Sequence, residues 1–232
     1  MHPEYLLNND TQDISRRVSE LALSNEPALC AHCQEVSRQT DTSSLSLAED
    51  YAAQMNDANA TLAIIGESLQ ELSRSLLQNA GVFRTQSGKA GFSAVCRAVT
   101  RIEEARRQLI AQVGALSGMR SAIAAGVAKA NHARHLLSLA ARAVLAEARA
   151  PYTESTERIK VAYERMLAID SATGEAQSFY MAFIERHLPS FMAGIRAAAD
   201  FNHGGESLDT GAIRALCGEM LLLLNRAPKV AF

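Results

Sequence analysis

Between Ser46 and Asn79 the chain places an apolar or small residue at Tyr51, Met55, Ala58, Leu62, Ile65, Leu69, Leu72 and Leu76, in alternating steps of four and three. No position in the series is skipped. A strand cannot use such a period, because its side chains change face at every residue. The spacing is that of one long helix with a continuous buried seam. Whatever else the chain forms must cover that stripe along its length.

The flanks of the seam separate two helical architectures. With Met55 as heptad position a, the e positions are Ala52, Asn59, Gly66 and Ser73, and the g positions are Gln54, Thr61, Ser68 and Ser75. None is charged, whereas a two-stranded coiled coil selects its partner through charged e and g pairs. Small neutral flanks suit a helix packed by neighbours on both sides, as in a bundle. Ile64 and Leu77, off the seam, widen the face. Ser46 and Glu49 stand at capping-box spacing and Gly81 at a C-cap position, which predicts a helix over 46–79.

The period returns after a connection at 82–91. Val95, Ile102, Leu109, Leu116, Ile123, Ala130, Leu137 and Val144 hold one heptad register through the Pro-free stretch 92–150. Gly114 and Gly118 interrupt it, and each costs about 1 kcal/mol relative to Ala inside a helix. A turn has no reason to preserve the register, so one helix with a bend or local irregularity is expected. The two long helices should form an antiparallel spine.

The remaining segments read as shorter helices. Residues 1–44 carry helical patterns around Ile14, Val18 and Leu21 and around Leu29, Cys33 and Val36, closed by a Ser/Thr/Asp-rich linker from Ser37 to Ser44. Residues 45–232 form the main bundle. Pro151 ends the second long helix, and the run Asp170-Ser171-Ala172-Thr173-Gly174 reads as a break. Pro189 predicts a kink, Asn202 to Gly205 a loop, Asp209 a helix cap and Pro228 a helix end. No run of alternating β-branched or aromatic residues reads as a strand. The expected fold is all-α, an elongated antiparallel helical bundle with coiled-coil-like helices, about six or seven in number.

Charge narrows the function. The 23 Lys and Arg against 25 Asp and Glu leave a net charge of −2. That balance supplies no general attraction to nucleic acid or to an anionic membrane. The N-terminus lacks the basic and apolar regions of a signal peptide, and the apolar cluster Leu216 to Leu224 is too short to span a bilayer. A cytoplasmic bacterial protein without membrane insertion is expected. The 4 Cys are too few for a disulfide scaffold, so reduced thiols are expected.

Three groups of residues could carry chemistry or recognition. Cys30-Ala31-His32-Cys33 places two thiols in the first turns of a predicted helix, where the helix N-terminus favours thiolate. The pair could act as a dithiol, or with His32 as half of a soft-metal site. It resembles the CxxC of helical peroxidase-like proteins, although Val36 and Ser37 stand where their downstream His falls. Arg106, Arg120 and Arg134 occupy seam positions in the second long helix, alternating with Val99, Val113 and Val127. A cation there must pair or reach outward, and the row could bind an anion or an acidic partner helix. Gly114, Gly118, Ala122 and Gly126 repeat every four residues and would let another backbone approach closely, as a self-association or partner surface or as internal packing.

Two weaker signals are read as structural. His132 and His135 are three apart but lack the carboxylate motifs of a di-iron bundle. Arg84 to Lys89 shares only composition with phosphate-binding loops. No catalytic residue and no cofactor is expected. The leading reading is a non-enzymatic interaction or structural protein that acts through helix surfaces and self-associates. The alternatives are a thiol-redox or thiophilic metal or oxyanion-binding stress protein using Cys30 and Cys33, and an exported effector that binds a host protein.

Overall fold

The computed structural model describes residues 26–78, 88–144, 148–199 and 208–230, together with Asp13, Arg16, Arg17 and Glu20. The described residues form helices and short connections, with no strand among them. The all-α class and the bundle packing expected from the heptads are therefore present. Helix α1 spans Glu26–Gln78 with 53 residues, and α2 spans Gly88–Ala143 with 56. Helix α3 spans Ala150–Ala182, α4 Leu188–Ala198 and α5 Thr210–Leu224.

The seam of α1 is buried at every position that the period marks: Tyr51, Met55, Ala58, Leu62, Ile65, Leu69, Leu72 and Leu76. The register of α2 is buried at Val95, Ile102, Leu109, Leu116, Ile123, Ala130, Leu137 and Val144. Gly114 and Gly118 lie inside a continuous α2, so the preserved register marks a helix.

Several expected boundaries are absent. The segment 37–44, read as a linker, is helical and belongs to α1. Its Ser37 and Ser44 continue the buried stripe at 2% and 0% exposure. The Ser37 hydroxyl donates to the Ser155 carbonyl at 3.3 Å, and the Ser44 hydroxyl donates to the Asp41 carbonyl at 2.8 Å. Ser44 Oγ also accepts from Arg165 at 2.7 Å. With its hydroxyls satisfied, a serine seam costs little to bury. The break expected at 170–174 is likewise helical, and Thr173 there is fully buried.

At Pro189 the helix changes hydrogen-bond register. Pro189 has no N–H to give to the carbonyl four residues back. The preceding turn, Phe183–His187, is a π-helix, and the Leu188 N–H donates to the Phe183 carbonyl. The helix thus slips by one residue between α3 and α4. Asp209 caps α5 as expected, accepting from the Ala212 N–H at 2.9 Å. Helix α5 ends at Leu224, four residues before Pro228. The helix expected around Ile14, Val18 and Leu21, the cap at Gly81, the Arg84 to Ser87 run and the loop Asn202 to Gly205 lie outside the described residues.

Packing divides the chain into two compact units, one of Met1–Tyr51 with Met119–Ala172 and the other of Ala52–Gly118 with Thr173–Phe232. In the first, Leu29 and Cys33 of α1 cluster with Ala133, Leu137 and Ala140 of α2 and with Tyr152 and Ile159 of α3. Tyr152 donates to the Glu26 carbonyl at 3.2 Å, and Arg165 donates to Asp41 at 3.2 Å, so α1 and α3 advance together. In the second unit α1 and α2 run antiparallel, with Glu71 against Arg101 at 2.7 Å and the Asp57 carbonyl accepting from Gln112 at 3.2 Å. Tyr180 of α3 donates to Asn59 at 3.1 Å, and Asn59 donates to the Pro228 carbonyl at 3.2 Å. Helix α4 lies close against α5, where a Cβ on Gly194 would meet Leu216 Cδ1 at 2.9 Å.

Candidate functional site

The CxxC stretch sits in the first unit, near the start of α1. Cys33 is a core residue at 6% exposure, Cys30 is half-buried, and His32 is exposed. Burial, and then the Cys30 charge, push the Cys33 thiol up from an ordinary 9.0 to about 11. Burial and the nearby Glu26 carboxylate also raise Cys30. The lowered thiol pKa expected from a helix N-terminus is therefore reversed. Apolar packing disfavours the thiolate, and Glu26 in the first turn adds a negative charge beside it. No group of three or more His, Cys, Asp or Glu among the described residues could hold a metal ion. Cys96 is exposed, and Cys217 is buried in the second unit with its thiol raised by burial.

The three arginines each meet a different neighbour. Arg106 lies 3.6 Å from Glu103 on its own helix, and its buried Nε has no hydrogen-bond partner among the described residues. Arg120 lies 4.0 Å from Asp170. The Arg134 guanidinium stacks 4.9 Å above the Tyr163 ring centre, a cation–π contact. Their positions follow from the companion row of the α2 seam. Ala98, Ala105, Ala133 and Ala140, three residues after a heptad position, are buried. Four residues after a heptad position, Val113 is buried, whereas Arg106, Arg120 and Arg134 lie at the edge of the stripe, where a long cationic side chain reaches outward.

The small-residue row also divides. A Cβ on Gly126 would lie 3.0 Å from Leu47 and 3.3 Å from the Met166 sulfur, so this glycine serves packing within the first unit. Ala122 is exposed. In the second unit Gly114 and Gly118 have, among the described residues, no side-chain or neighbouring atom within 4 Å of where a Cβ would stand. Ile110, one helical turn before Gly114, is 47% exposed. Ala111, Ala115 and Ser117 are exposed beside them. From residue 110 to residue 118 this outer face carries no charged residue.

A further feature lies between α4 and α5, again within the second unit. A groove of about 420 Å³ is lined by Phe191 of α4, by Leu216, Glu219, Met220, Leu222 and Leu223 of α5, and by Arg226 just beyond it. His187, the last residue of the π turn, also contributes. Leu222 is 66% exposed, more than any other large apolar residue among those described. The sequence holds one signal of this feature. Leu221 to Leu224 is an unbroken leucine run, and a helix that buries a single stripe cannot bury four consecutive side chains. No family model matches the chain, and no curated protein or solved structure shows significant similarity to it.

Proposed function

We propose that the protein is a non-enzymatic interaction protein that works in the cytoplasm through the outer surfaces of its long helices. The observation that carries this reading is the open face of α2 around Gly114 and Gly118. Glycine in a helix interior costs about 1 kcal/mol relative to Ala. At Gly126 close packing offsets that cost, whereas at Gly114 and Gly118 nothing among the described residues does. A partner helix seated there would supply the missing contact, because absent side chains let two backbones approach closely. Exposed Ile110 one turn away gives that partner an apolar anchor. The partner is a protein helix, from a second copy or from another chain. Free thiols at Cys30, Cys33, Cys96 and Cys217 suit a reducing compartment.

The thiol reading is the weaker one, since both members of the CxxC are held towards the protonated form. A photo-crosslinking residue at Ser117, introduced in the native host, tests the α2 face. A discrete adduct is expected from Ser117 and not from exposed Gln70, and Gly118→Glu should abolish it while leaving the helical content intact. Identical adduct patterns from the two positions would refute the α2 face as a binding surface.

A further inference from the structure

A different surface, the groove between α4 and α5, carries a second and independent inference. Two of its residues, Glu219 and Leu222, lie three apart on α5, and Arg226 follows in the turn just beyond the helix, its N–H donating to the Leu223 carbonyl at 2.9 Å. Glu219 and Arg226 are both exposed, and neither makes an ion pair with another described residue. In chain order the groove lining therefore reads negative, apolar, positive. Reversed end to end, the same order places each charge opposite its complement.

The patch also holds both halves of an apolar contact. Leu222 projects at 66% exposure, and the groove beside it is walled by Phe191, Leu216 and Met220. A surface with a projecting side chain, an adjacent recess and a charge order that matches its own reversal is self-complementary. That is what a two-fold interface requires, since the same patch must serve on both subunits. A strongly acidic or basic partner finds no complement here, because the one acidic and one basic side chain cancel.

We propose that this groove is the docking site for a second copy of the chain, related by a two-fold axis near Leu222. Leu222 of each protomer enters the groove of the other. Glu219 of each protomer pairs with Arg226 of the partner subunit. The α4–α5 groove is small, so the dimer is concentration-dependent, with a Kd on the order of 10–100 µM, at the weak end of protein interfaces.

Sedimentation velocity of the full chain from about 1 µM to about 1 mM spans that affinity. The mass should rise from monomer to dimer. Leu222→Asp should weaken association at least about tenfold with unchanged circular dichroism and Tm, as expected for an exposed position. Glu219→Arg alone and Arg226→Glu alone should each weaken it by placing like charges across the axis, and the double swap should restore it. A chain that stays monomeric at the highest concentration overturns the proposal. So does a dimer insensitive to Leu222→Asp, or one that the double swap fails to rescue. Gly118→Glu separates the two surfaces: a dimer that it abolishes and Leu222→Asp spares belongs to the α2 face.

Discussion

The stretch of α1 from Leu29 to Ser44 and the stretch from Met55 to Leu76 bury the same stripe of one helix by different means. The second is apolar at every seam position, and its buried flanking hydroxyls are satisfied locally. Thr61 donates to the Asp57 carbonyl at 3.1 Å and Ser68 to the Ile64 carbonyl at 2.8 Å, each four residues back on the same helix. The first mixes Leu29 and Cys33 with Ser37 and Ser44. Its hydroxyls also engage groups that are distant in sequence, Ser155 at 118 residues and Arg165 at 121. The hydroxyls of one stretch are satisfied within the helix, while those of the other also depend on α3.

The largest expected effect tests the apolar stretch. Leu69→Ala removes a fully buried side chain and should cost about 2–5 kcal/mol in urea unfolding. A loss under about 1 kcal/mol would mean that the seam is loosely packed there. Next comes the thiol in the polar stretch. The folded-state pKa of Cys33 stands above its unfolded value, at about 11 against 9.0. The unfolded chain therefore loses the proton first, and stability falls as pH rises from about 9 to about 11, by on the order of 2 kcal/mol. Below that window the contribution is fully present. Cys33→Ala should flatten this part of the pH profile, and an unchanged slope would count against a buried thiol.

Arg165→Ala leaves Ser44 and Asp41 without their distant donor. With the Arg165 side chain 29% exposed, the loss should be about 1–2 kcal/mol, reduced by solvent screening. Ser37→Ala should cost about 1 kcal/mol. In a double-mutant cycle, Arg165→Ala and Ser44→Ala should couple, whereas Arg165→Ala and Ser68→Ala should add. Additivity in both cycles would erase the distinction between the two stretches. The smallest effects have opposite sign. Gly114→Ala and Gly118→Ala meet open space and should each stabilise by about 0.5–1 kcal/mol. Gly126→Ala crowds Leu47 and Met166 and should gain less than either. Equal gains at all three would mean that Gly126 is not packed as described.

The same distinction explains what could be read in advance. Periodicity in an apolar seam reports burial directly, so the seam of α1 from Tyr51 onward and the Val95-to-Val144 register of α2 were legible residue by residue. The Asp209 cap was legible because its acceptor and donor lie three residues apart. Segment 37–44 was misread because Ser, Thr and Asp favour loops when their hydrogen-bonding groups have no distant partner. The thiols depart from the helix-position expectation for a related reason. Helix position suggested a lowered pKa, but burial against α2 and α3 and the charge of Glu26 raised it. The α4–α5 groove left only the surplus leucine as a trace.

Sequence alone determined the helical class, the phase of the two long seams and the uncharged flanks of the α1 seam. Each of these follows from the order of side chains on one helix. Only the tertiary structure decided that 26–44 is one helix with the apolar seam, that a serine-rich stretch is core, that Gly126 is packed while Gly114 and Gly118 are open, and that Leu222 stands beside a groove. Those features depend on groups from different helices meeting, and the free energy of a buried polar or small residue is set by what it meets.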